Sequence, residues 1–217
     1  MNTNKNAKRI LCFGDSNTWG VIPASRRRYD TETRWTGLLQ KKLGTEYEII
    51  EEGLNSRTTV IDDPKRPGKC KNGKTYLTPC LHTHDPIDLV ILFLGTNDLK
   101  EYFERSAEQI ARGVEELIHI IQNTKFRYVV QPPKILLICP TIVDESVDKT
   151  KEKYFGAEKK SRQLGKLYQE IANKYKIPYI DLSKEVQPSK KDGYHFEPET
   201  HKKVADLIAE AIKNILN

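Results

Sequence analysis

Ser16, His195 and an aspartate three residues before that histidine, Asp192, are the residue types that acyl transfer through an enzyme-bound ester requires. A serine hydroxyl is a weak nucleophile until a base within hydrogen-bond reach takes its proton, and histidine is the commonest such base. The imidazole must in turn be held in one tautomer by an acceptor on its other nitrogen, and Asp192 is near enough in sequence to supply one. A tetrahedral intermediate also needs donors aimed at its oxyanion. The backbone N–H groups of Ser16 and Gly53 and the side-chain amide of Asn97 are the candidates. Gly53 has a reason to be glycine on this reading, since its N–H can then approach substrate with no Cβ in the way.

These residues belong to four short polar clusters: Gly14–Gly20, Glu52–Thr59, Gly95–Asp98 and Asp192–His195. Taken singly, each has a plainer explanation. Gly-Asp-Ser-Asn could be an Asx-turn or helix cap, Gly-Thr-Asn-Asp a strand-ending turn, and a histidine beside an acid a structural pair. Their conjunction is the informative observation, because each of the four follows a segment that reads as a strand. Asp15, Asn17, Trp19 and Asn55 flank the expected nucleophile and oxyanion donors, and are expected to line the substrate pocket.

Arg9–Phe13, Tyr47–Glu51, Leu89–Leu94, Lys134–Cys139 and Pro178–Asp181 read as five strands. The third and fourth are near-continuous Val, Ile and Leu, the pattern of parallel strands covered on both faces. Helical periodicity fills the gaps. Trp35–Leu43 follows the first strand, and Ser106–Asn123 puts Ile110, Val114, Leu117, Ile118 and Ile121 on one face behind a Ser106/Gln109 capping box. Lys151–Tyr175 reads as one long charged helix, and Pro198–Leu216 as the last. Such alternation implies right-handed βαβ units, hence one parallel sheet with helices on both faces. Ligands bind such sheets at the carboxyl ends of the strands, where the four clusters fall. The Pro-, Gly- and Lys-rich stretch 55–88 is too long for a plain loop, and is expected to carry a short helix near Tyr76–Leu81 beside the site.

Composition narrows the function further. A chain of 217 residues with 37% hydrophobic and 30% charged residues suits one polar-surfaced domain, residues 1–217. Its apolar runs are far too short for a membrane helix or a secretory signal, so a cytoplasmic protein without membrane contact is expected. The formal charge is +6, but basic residues are interspersed with acids and only Arg26-Arg27-Arg28 cluster tightly, so no nucleic-acid partner is expected. Cys12 and Cys139 lie in apolar runs and read as buried thiols. Cys80-Leu81-His82-Thr83-His84 has no second ligand pair at zinc-site spacing, so no metal is expected.

In order along the chain, Gly-Asp-Ser-Asn, Gly53, Gly-x-Asn-Asp and Asp-x-x-His resemble the four blocks of the SGNH (GDSL-type) esterase and lipase superfamily. Glu52–Thr59, Asp62-Asp63-Pro64, Asn72-Gly73, Pro79-Cys80-Leu81 and Asp88–Lys100 are similar to its arylesterase and short-chain acyltransferase branch. Asn17 stands where the name-giving motif has leucine, and Ser25–Arg28 has no counterpart. The resemblance implies a flavodoxin-like three-layer α/β/α fold and hydrolysis of small acyl esters without metal or organic cofactor. It also implies Ser16 as nucleophile, Asp192 and His195 completing a triad, and Gly53 and Asn97 in the oxyanion hole. Some members of the branch transfer the acyl group to alcohols or peroxide, and several form larger homo-oligomers. A non-catalytic flavodoxin-like module for phosphorylated ligands is the competing class. Against it stands the lack of a G-x-G-x-x-G or Walker pattern in the first crossover.

Overall fold

A computed structural model describes residues 2–216. Five parallel strands, β1 (Lys8–Gly14), β2 (Tyr47–Gly53), β3 (Leu89–Phe93), β4 (Lys134–Cys139) and β5 (Tyr179–Asp181), form a sheet in the order β2-β1-β3-β4-β5. The four crossovers and the segment after β5 carry helices α1 (Ser16–Trp19), α2 (Trp35–Leu43), α3 (Gly73–Thr83), α4 (Ala107–Asn123), α5 (Asp148–Tyr154), α6 (Ala157–Tyr175), α7 (Leu182–Glu185) and α8 (Pro198–Leu216). The strand order reverses beside β1, between the crossover to β2 and the one to β3. That reversal opens a crevice at the sheet's carboxyl edge.

Side-chain alternation along the strands builds the layers. Leu11, Phe13, Val90, Leu92 and Leu137 point to one face and pack with Leu81 of α3, Val114 and Leu117 of α4, and Leu164 and Tyr168 of α6. Ile10, Cys12, Ile91, Leu136 and Ile138 point to the other, against Trp35 and Leu39 of α2 and Val204, Ile208 and Ile212 of α8. All of these are buried, and truncating one such core leucine to alanine typically costs about 2–5 kcal/mol. Cys12 and Cys139 are buried thiols within these layers.

The five expected strands and the helices at Trp35–Leu43 and Pro198–Leu216 are all present. So is the capping box of α4, in which Gln109 N donates to Ser106 Oγ (3.2 Å) and Ser106 N to Gln109 Oε1 (2.8 Å). The expected helix Lys151–Tyr175 is two helices instead. Gly156 takes a left-handed φ of +74°, which breaks the helical path, and the Glu145 carboxylate restarts it by accepting Gly156 N (2.7 Å) and Glu158 N (2.8 Å). The short helix expected near Tyr76–Leu81 is also longer, because Asn72 Oδ1 accepts Lys74 N (3.1 Å) and starts α3 a turn earlier.

Candidate active site

Pairing of Gly14 with both Gly53 and Phe93 brings the ends of β1, β2 and β3 side by side. The chain leaving β1 turns at once into the four residues of α1. Asp15 caps that helix, its Oδ1 accepting Asn17 N at 2.9 Å, so Ser16 stands at the first helical position, above the sheet edge. Asn97 lies in the turn after β3 and donates its amide to the other Asp15 oxygen, Oδ2, at 3.2 Å. One buried carboxylate therefore fixes both the serine turn and the asparagine turn. Burial pushes the Asp15 pKa up against the Asn17 N–H and the charges of His195, Lys100 and Arg57.

His195 comes from the loop before α8, 179 residues away in sequence. Its Nε2 is 3.0 Å from Ser16 Oγ, and its Nδ1 is 2.7 Å from Asp192 Oδ2. Asp192 is itself held by backbone donors: His195 N to Oδ1 (3.1 Å) and Ala24 N to Oδ2 (2.7 Å). Burial disfavours the Asp192 carboxylate. The His195 hydrogen bond and charge and the two N–H donors outweigh it, holding the pKa below the ordinary range. The loop is tightly folded: Gly193 has φ +77°, its N–H donates to Ser189 O (2.8 Å), and Thr150 Oγ1 of α5 donates to Asp192 O (2.7 Å).

Ser16, Asn97, Asp192 and His195 thus meet at one point, with the Gly53 end of β2 beside them. Glycine at 53 also has a reason within the fold. A Cβ there would run into the backbone of α1 at Thr18 and Trp19, so glycine is required by helix–strand contact. Two of the expected pocket residues also take other places. Asp15 is 1% exposed beneath Ser16, and Asn17, at 2%, donates its side-chain amide to Tyr194 O (3.0 Å) and ties the serine turn to the histidine loop. Both brace the site from below. Trp19 and Asn55 are half-buried. The Trp19 ring lies under the Arg28 guanidinium, 5.1 Å from its centroid, and Arg28 Nε donates to Trp19 O (2.6 Å), so part of the basic cluster is spent within the chain.

Sequence reasoning gave no role to several residues that shape this edge. Arg57 is buried with its guanidinium 4.1 Å from the Phe13 ring centroid and donates to Gly14 O (3.0 Å) and Glu52 O, bracing the turn before Ser16. Asp98 accepts Thr59 N (3.0 Å), Thr59 Oγ1 (2.5 Å) and Arg105 Nη1 (3.2 Å), tying the loop after β2 to the turn after β3. Burial lifts its pKa to about 6. Lys100 is 4% exposed. The only available signal was their adjacency to the polar clusters. Of the Cys80/His82/His84 trio, His84 and Cys80 lie together with Glu52, their ligand atoms within 4.8 Å of one another, and His84 Nε2 is 2.9 Å from Glu52 Oε1. His82 turns away toward Phe126.

Residues 12–203 match the pattern of the GDSL-like Lipase/Acylhydrolase family. The chain belongs to that family. Among solved structures, this GDSL-type hydrolase is similar to the native aryl esterase of M. smegmatis, with 38% identity over 97% of this chain and 100% of that one (TM-score 0.91). It is also similar to a carbohydrate acetylesterase from Sinorhizobium meliloti, with 35% identity over 96% and 100% of the two chains (TM-score 0.88). A lipase/acylhydrolase from Enterococcus faecalis shares the fold at 23% identity, over 95% and 96% of the chains (TM-score 0.70). No curated protein matches by sequence. Among the described residues, no helix of this hydrolase is long and apolar enough to cross a membrane.

Proposed function

We propose that this GDSL-type hydrolase cleaves short-chain acyl esters through an acyl-Ser16 intermediate. The observation that carries the reading is the unbroken chain from Ser16 Oγ through the His195 imidazole to Asp192, with links of 3.0 and 2.7 Å. His195 Nε2 takes the Ser16 proton as Oγ attacks the ester carbonyl, and Asp192 stabilises the imidazolium that forms. The oxyanion is met by the Ser16 and Gly53 N–H groups and the Asn97 amide. His195 then returns the proton to the leaving alkoxide, expelling the alcohol. Water, deprotonated by the same histidine, attacks the acyl-enzyme and regenerates Ser16. No step in this cycle requires a metal or organic cofactor, because protein groups move every proton.

The reading is supported by two similar proteins, one named as an aryl esterase and the other as a carbohydrate acetylesterase, the second name specifying an acetyl group. Release of nitrophenol from 4-nitrophenyl acetate, abolished by a serine-directed organophosphate, tests the chemistry. An acyl-chain series from acetate to decanoate tests the size limit. Turnover that survives complete organophosphate labelling of Ser16 would refute the acyl-serine route.

A further inference from the structure

Two metal-ligating residue types, Cys80 and His84, lie four apart at the end of α3, where His84 N donates to Cys80 O (3.2 Å) and closes the last turn. At this spacing the two side chains share one helical face. Glu52, next to last in the edge strand β2, meets that face, with its Oε1 2.9 Å from His84 Nε2. The ligand atoms of Glu52, Cys80 and His84 all lie within 4.8 Å of one another, and no other three such side chains among the described residues come so close. Arg57 Nη2 stands 4.0 Å from Glu52 Oε2, the other carboxylate oxygen, which leaves Oε1 to the histidine. None of the three belongs to the chain from Ser16 to Asp192, and the Glu52–His84 hydrogen bond alone gives the thiol beside it no task.

The spacing suits a small divalent cation. Zinc bonds of about 2.0–2.3 Å at tetrahedral angles put neighbouring ligand atoms roughly 3.4–3.6 Å apart. To reach that separation the Glu52–His84 pair opens by about half an ångström, and the sulfur closes by about one at most. A pair at i and i+4 on a helix, joined by a carboxylate from elsewhere, lets all three groups reach one ion. Thiolate, imidazole and carboxylate together are a donor set that zinc accepts. Access is also provided. Cys80 forms a buried floor, while the side chains of His84 and Glu52 are 22% and 18% exposed above it, so an ion between them has solvent on one side. The Arg57 charge works against a cation here, and a Cys80 thiolate, as the second anionic ligand, offsets it.

We propose that Glu52, Cys80 and His84 bind one Zn²⁺ ion, with water as the fourth ligand, clipping the end of β2 to the end of α3. On binding, the Cys80 thiol releases its proton to solvent. The proton that His84 Nε2 now donates to Glu52 moves to Nδ1, so the imidazole binds as the neutral ring. No electron is transferred. The unfolded chain does not hold these three groups together, so zinc stabilises the folded form as its concentration rises.

Cobalt(II) is the probe, because a cobalt–thiolate bond gives a charge-transfer absorption band that nitrogen and oxygen ligands do not. Cys70 is exposed and could bind cobalt by itself, so the metal-free, reduced Cys70→Ser protein is titrated; Cys12 and Cys139 are buried in the core layers. The band should grow to one equivalent of cobalt and be erased by zinc. It should vanish in Cys70→Ser/Cys80→Ala. His84→Gln and Glu52→Gln, each added to Cys70→Ser, should weaken cobalt binding by at least about 100-fold, more than residues that merely orient a ligand are worth. Zinc should raise the thermal midpoint of Cys70→Ser and leave that of the His84→Gln variant unmoved. No band in Cys70→Ser, a band that survives Cys80→Ala, or cobalt affinity unchanged by His84→Gln overturns the site. If the Cys80→Ala protein does not fold, His84→Gln, at the partly exposed end of α3, decides.

Discussion

His201 offers a test of how the site's framework is held together. It lies in the first turn of α8 and is fully buried, with its Nδ1 accepting the backbone N–H of Trp35 at 3.2 Å. Arg34, the residue preceding α2, makes no side-chain cap, so His201 serves as the acceptor for the start of that helix across 166 residues. Only a neutral imidazole can accept there. Burial, with the nearby His195 charge, pulls the His201 pKa down to about 3 from an ordinary value near 6.5. Above about pH 6.5 both folded and unfolded chains carry the neutral ring, and its contribution to stability is complete. As pH falls below that value the unfolded chain binds a proton that the folded one refuses, and stability is lost until the folded pKa is reached. A depression of roughly 3.5 units at about 1.4 kcal/mol each amounts to a total near 5 kcal/mol, of which about 2 kcal/mol is gone by pH 5. Urea unfolding followed by circular dichroism from pH 7.5 to 4.5 measures this. His201→Asn keeps an acceptor and removes the titration, so the stability gap between wild type and variant should narrow by about 2 kcal/mol between pH 7 and pH 5. Parallel curves over that range would show that His201 is not held neutral by burial.

The catalytic assignments yield sharper tests. Ser16→Ala should lower kcat for 4-nitrophenyl acetate by about 10⁴-fold or more with an unchanged circular dichroism spectrum, and substantial remaining turnover would remove Ser16 as nucleophile. Asn97→Ala should reduce kcat by about 100–1,000-fold with little change in KM, whereas a raised KM at constant kcat would mark ground-state binding instead. Asp192→Asn should cost on the order of 10⁴-fold in kcat, because its amide would present a donor to at least one of the N–H groups that Asp192 now accepts, so nearly full activity would refute its role. Exhaustive chelation should leave the rate unchanged. Activity lost on chelation and restored by zinc would direct attention to Glu52, Cys80 and His84.

What the sequence made legible was set by interaction range. Strands rich in Val, Ile and Leu and the i, i+3, i+4 stripe of α4 carry their signal locally, and they fold where that signal predicts. The break at Gly156 escaped detection because the stripe of α6 runs on undisturbed, and the group that caps the restarted helix is Glu145, eleven residues earlier. Ser16, Asn97, Asp192 and His195 were readable because each sits in a short polar cluster after a strand. Arg57 and Asp98 lie in the same clusters and Lys100 two residues beyond one, but their distinguishing property is burial, which only the packed tertiary structure confers. Asp15 and Asn17 show the converse: chemistry-bearing types next to the nucleophile whose polar atoms serve to join loops.

The clasp between Asn17 and Tyr194 O sets a timetable for folding as well as a geometry. Residues 17 and 194 close one of the longest loops in the chain, joining the first crossover to the segment that follows the three-residue edge strand β5. Closing so long a loop is entropically costly and belongs late on a folding pathway, after the local helices and the central strands have formed. A nascent or refolding chain therefore holds its serine and histidine apart until nearly every other contact is in place. It cannot attack an ester while its own interior is still open. Recovery of ester hydrolysis during refolding should lag behind recovery of helical circular dichroism, and the interval between the two signals measures the docking of the segment after β5 onto a sheet already assembled.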